Sequence, residues 1–125
     1  MAGQRPIGFP VRPTLSGAVK TFIDITGASG AVYRFDAIAS AVAAPTVAGN
    51  FVFARLNGRT VEVICCGSTV SLNEVIGRWG AEIEPGDTQG IFVRLNTLRA
   101  ARDREHKDIV EKHRPELVVT DRDEG

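Results

Sequence analysis

Residues able to do chemistry gather in three parts of this 125-residue chain. The first is a C-terminal segment holding Arg102, Glu105, His106 and His113. At about 100° per residue, Leu98, Ala101 and Ile109 define an inward helical face, and those four polar residues fall within about 80° of its centre. Two readings follow: an Arg102 to Glu105 pair one turn apart rims the packed face with the histidines at its edge, or the face floors an active-site cleft. Histidines two turns apart with no third ligand in view make a weak metal motif. The second part is the doublet Cys65-Cys66. Adjacent strand residues point to opposite faces, so the doublet is neither a disulfide framework nor a zinc motif and reads as reduced core. A soft-metal or thiol site formed by Cys65, Cys66 and His106 is the rival reading, disfavoured because strand cysteines are usually core filler. The third is an uneven charge distribution: Arg5, Arg12, Lys20, Arg34, Arg55 and Arg59 stand against Asp24 and Asp36 before residue 60. A basic half can face phosphate, although scattered solubilising charges explain it equally well because no basic cluster forms.

The element that must position these groups is GNFVFARLNGRTVEVICCGSTVSL, residues 49–72. Apolar runs at 51–56 and 61–66 joined across Asn57-Gly58 predict a β-hairpin at the centre of a sheet. Val52, Ala54 and Leu56 alternate with Phe51, Phe53 and Arg55, and Val61, Val63 and Cys65 with Glu62, Ile64 and Cys66. Both faces carry bulky apolar residues, which predicts cover on both sides. Gly67-Ser68-Thr69 reads as the end of the second strand, and Ser71 three residues before Glu74 as a capping box. Leu72, Val75, Ile76 and Trp79 then take the i, i+3, i+4, i+7 spacing of a short helix with Trp79 as a core anchor, closed by Gly80. Residues 82–89 read as a surface loop, 90–95 as a strand, and Asn96 or Thr97 as the cap of a last helix ending near His113, before Pro115. Upstream, runs at 19–25 and 31–37 around a Gly/Ser-rich turn predict another hairpin, and alanine-rich 37–44 a helical turn or two.

Length allows one domain with a real core. Hydrophobic residues at 43% and charged residues at 24% fit a globular protein with zero formal net charge. No run approaches the roughly 18 apolar residues of a membrane span and no signal-peptide pattern opens the chain, so the expected compartment is the cytoplasm, with no membrane partner. The chain divides into an extended Pro/Gly-rich strap at 1–16, a single domain at 17–117 that includes the N-terminal hairpin, and an acidic tail at 118–125.

In their order, these pieces resemble the GIY-YIG nuclease superfamily. The matching residues are Gly49-Asn50-Phe51, Cys65-Cys66-Gly67, Thr69, Leu72, the strand ending Arg94-Leu95-Asn96, Ala100-Ala101-Arg102 and His113-Arg114-Pro115. The resemblance covers about residues 48–117. It implies an α+β fold, a small mainly antiparallel sheet flanked by helices, to which the N-terminal β-hairpin is an addition. It also implies metal-assisted hydrolysis of DNA by two strand tyrosines, a helix arginine and a later glutamate that holds a divalent ion.

This sequence departs at each of those places. The tyrosine positions fall on Phe51 and Cys65, the arginine on Val75 and the glutamate on His106, and Leu117-Val118 replace the asparagine that usually follows the proline. Phenylalanine relays no proton, valine neutralises no phosphate, and neutral histidine is a poor ligand for magnesium. Arg78, Arg102 and Glu105 are the available substitutes, Glu105 serving as metal ligand only if its helix is rotated by about 100°. The resulting expectation is a GIY-YIG-like domain that has lost nuclease catalysis and binds nucleic acid, through Arg55, Arg59 and Arg78, or a protein partner. No cofactor is expected. The alternatives are an active magnesium-dependent endonuclease with displaced residues, and an assembly protein whose strap and acidic tail mediate self-association.

Overall fold

The computed structural model describes residues 21–79 and 89–120, and the strap, Gly80, the loop up to residue 88, the Trp79 side chain and the last five residues lie outside it. Strands β1 (Phe22–Thr26), β2 (Val32–Ile38), β3 (Gly49–Asn57), β4 (Thr60–Thr69), β5 (Gln89–Leu95) and β6 (Leu117–Thr120) form one sheet in the order β1-β2-β5-β3-β4-β6. Every neighbouring pair is antiparallel except β4 with β6. Helix α1 (Leu72–Trp79) follows β4, and α2 (Arg99–His113) joins β5 to β6. The fold is therefore α+β with a mostly antiparallel six-stranded sheet.

The central hairpin forms where its alternating pattern requires, with each face sealed by its own helix. Val52, Ala54 and Leu56 pack with Ile23, Ile25, Phe35, Phe92 and Ile109 of α2, whereas Phe51 and Phe53 pack with Leu72, Val75 and Ile76 of α1. Three details differ from expectation. The connecting loop is Gly58-Arg59, because Asn57 still pairs with Thr60; Gly58, at φ 63°, supplies the positive φ that a tight hairpin loop needs at its first residue. Gly67-Ser68-Thr69 does not end β4 but continues pairing with β3 and β6. Between Phe53↔Cys65 and Ala54↔Val63 the register shifts by one residue, so Ile64 is a β-bulge and Cys65 leaves the face of Val63. Cys66 consequently joins Val63 beneath α2, and Cys65 lies beneath α1.

Elsewhere, the predicted N-terminal hairpin is β1 and β2, but β2 runs on to Ile38 and only Ala41–Ala43 forms a 3-10 turn. Pro45 and Val47 explain that loop's role, since their carbonyls accept the otherwise unpaired N–H groups of Asn73 and Leu72 at the start of α1. Ser71 Oγ accepts from the Glu74 N–H at 3.5 Å, a long version of the predicted cap. Neither Asn96 nor Thr97 caps α2; Leu98 occupies that position without a side-chain bond and is exposed, not inward-facing. Leu117–Thr120, read from the sequence largely as tail, is the sixth strand, and its Val119 is buried at 2% exposure.

Candidate functional site

The charged face of α2 lies against the sheet. Arg102, Glu105 and Ile109 are its buried residues, at 5%, 8% and 0% exposure. Burial of two ionised groups requires hydrogen-bonding partners, and the strands beneath provide them. Glu105 Oε1 accepts from Arg94 Nε of β5 at 2.7 Å and from Asn96 Nδ2 at 3.1 Å. Asn96 Nδ2 also donates to Asn50 Oδ1 at 3.0 Å, and Asn50 Nδ2 donates to the Arg102 carbonyl at 3.1 Å. Arg102 Nη1 donates to the carbonyls of Asn96 and Thr97 at 3.1 and 3.2 Å. Both hydrogens of the Asn96 amide are thus committed inward, and the residue lies two positions before Leu98, which holds the cap position of α2. The network also corrects the expected Arg102 to Glu105 pair, because each residue has partners on the preceding strand and loop.

One turn away, His106 Nδ1 lies 3.7 Å from Cys66 Sγ. Burial pushes both thiols up to about 12, so near neutral pH they are protonated and neither is a ready nucleophile. Cys65 is under the opposite helix, so the two cysteines and His106 do not converge; among the described residues no three His, Cys, Asp or Glu side chains form a metal-holding group. His113 is also tied to structure, its Nε2 2.9 Å from the Thr26 carbonyl.

The other sequence-derived site residues disperse. Phe51, Cys65 and Val75 share the apolar core beneath α1, while His106 is half-buried across the sheet on α2. Arg55 pairs with Glu62 at 2.9 Å and Arg78 with Glu74 at 3.6 Å, both at exposed positions, and Arg59 is exposed in the hairpin loop. Arg5, Arg12 and Lys20 lie outside the described residues.

What the sequence reading missed is a pocket of about 640 Å³ between α2 and the β4–β6 edge. Arg99, Arg102, Asp103, His106 and Lys107 line it from the helix, with Ser68 and Thr120 from β4 and β6 and Val70 from the bend after β4. Among the described residues that line it, three cations face one carboxylate, Asp103, which sits 3.6 Å from Arg99. The signal was present in part: positions 99, 102, 103, 106 and 107 fall on one helical stripe. Its other wall depends on β6, which sequence reasoning did not find.

Compared with known proteins, the chain matches no family model, no curated protein and no solved structure.

Proposed function

We propose that the chain is a GIY-YIG-like domain that has lost nuclease chemistry and serves as a nucleic-acid-binding module. The observation carrying this reading is the environment of the positions where the resemblance asks for two tyrosines and an arginine. Phe51, Cys65 and Val75 stand there, 0%, 1% and 4% exposed, packed together as apolar core. Groups sealed in that way neither reach a phosphodiester nor neutralise its charge. Glu105, the candidate metal ligand, is engaged by Arg94 and Asn96, and His106 occupies the glutamate position with Cys66 beside it.

Binding draws on the exposed Arg99 and Lys107 cations at the mouth of the α2 pocket, with Arg55, Arg59 and Arg78 as outer contacts. Exposed pairs such as Arg55 with Glu62 contribute little to stability, so exchanging the carboxylate for a phosphate costs the fold little. Supercoiled plasmid and branched DNA, incubated with the protein with and without magnesium or manganese, test the reading. DNA retained on a gel but left uncut is the expected result. Metal-dependent nicking that disappears in Glu105→Ala contradicts the loss of catalysis, and absence of retention contradicts nucleic-acid binding.

A further inference from the structure

Two polar side chains at the floor of the α2 pocket are buried without a full set of partners. Arg102 is 5% exposed and uses only Nη1, leaving Nε and Nη2 with no acceptor within hydrogen-bonding distance among the described residues. Ser68 is 6% exposed, and its hydroxyl likewise has no partner among them. Buried donors are normally satisfied, and a half-used guanidinium is costly to keep dry. Here both groups line the same cavity, with the Arg99 and Lys107 cations beside them.

We infer that this pocket, with the free donors of Arg102 and Ser68 at its floor and Arg99 and Lys107 at its sides, is a binding site for a phosphate monoester. The Nε and Nη2 edge of a guanidinium presents two parallel N–H bonds, the geometry that grips two oxygens of one phosphate. Ser68 Oγ supplies a third donor, and among the described residues lining the pocket three cations against the single Asp103 carboxylate give an excess positive charge suited to a dianion. A monoester fits better than a mid-strand diester because Arg102 is nearly inaccessible: a terminal phosphate can enter end-on, whereas a phosphate bridged on both sides remains at the mouth. Nucleic acid need not be the source. The site stands on its own geometry, and the strand-binding role above can fail without it.

Inorganic phosphate titrated into the ¹⁵N-labelled protein is the direct test, read at the amides of Ser68, Arg102, His106 and Thr120. Saturable shifts confined to these positions are expected, weakened about fivefold or more in Ser68→Ala and in Lys107→Glu. These variants leave the Arg102 bonds to Asn96 and Thr97 intact, and their folding is checked by the same spectra. Shifts that are absent, scattered over the surface or unchanged in both folded variants overturn the inference. Two further ligands identify the source of the phosphate: a 5′-phosphorylated oligonucleotide bound about fivefold or more tighter than its 5′-hydroxyl form points to a strand end, and a nucleoside monophosphate bound as well as that strand points to a small ester. Either result supports the site, while indifference of all ligands to the phosphate overturns it.

Discussion

At the scale of single residues, the fold depends on charges that are buried because they are bonded. Glu105 holds Arg94 and Asn96 together, and removing it leaves a partly buried guanidinium and an amide donor unpaired. Glu105→Ala is therefore expected to destabilise the protein by roughly 2–3 kcal/mol in urea unfolding, more than Glu105→Gln, which keeps an acceptor. Asp108 does comparable work at the other side of α2. Its carboxylate accepts from Ser29 N–H at 2.8 Å, Ser29 Oγ at 2.6 Å and Tyr33 OH at 2.7 Å, tying the helix to the β1–β2 turn. The Ser29 and Tyr33 hydrogen bonds hold its pKa below the ordinary 3.8. With the folded value lowered, the stabilisation is complete above 3.8 and is lost as pH falls through the folded value. Thermal unfolding followed down through that range should show a shallower acid-side loss in Asp108→Asn than in the parent. Equal slopes would remove Asp108 from the account.

Among the elements, the central hairpin was legible in sequence and its irregularities were not. Alternation of 51–56 predicted two faces correctly because β3 is regular from Gly49 to Asn57. Alternation of 61–66 failed at Ile64, since a bulge leaves the composition of a strand unchanged while reversing the faces beyond it. That single step separates Cys65 from Cys66 in the direction observed. The α2 face was legible only in part, because periodicity gives the angular position of Arg102 and Glu105 but not the Asn50, Arg94 and Asn96 groups supplied by distant strands. Gly67 shows the same limit: it reads as a strand end, yet it is paired opposite Phe51, whose ring lies where a Cβ would sit. Gly67→Ala should cost about 2–3 kcal/mol by overpacking. In a double-mutant cycle with Phe51→Leu, which thins the ring, the combined loss should fall short of the sum of the single losses. Strict additivity would mean that the glycine is needed for another reason.

For the whole molecule, the arrangement separates two roles between the faces of one sheet. Beneath α1 lies an apolar core that absorbs the positions where nuclease residues are expected, and beneath α2 lies a polar network opening into a cationic pocket. β6 links them, because Val119 packs into the first and Thr120 walls the second. This strand escaped sequence reading because four residues beside a charged terminus look like tail, and a parallel pairing with β4 has no local turn to announce it. No helix among the described residues is long and apolar enough to cross a membrane. The central claim, strand binding without strand cleavage, is tested most directly by the salt dependence of binding to a fluorescent single-stranded oligonucleotide, measured with magnesium present and followed by sizing of the strand. Contacts from Arg99, Lys107 and at least one of Arg55, Arg59 and Arg78 predict that affinity falls more than about tenfold between roughly 50 and 200 mM salt, with the strand intact at the end. Binding that ignores salt, or a strand shortened in the presence of magnesium, would contradict the account.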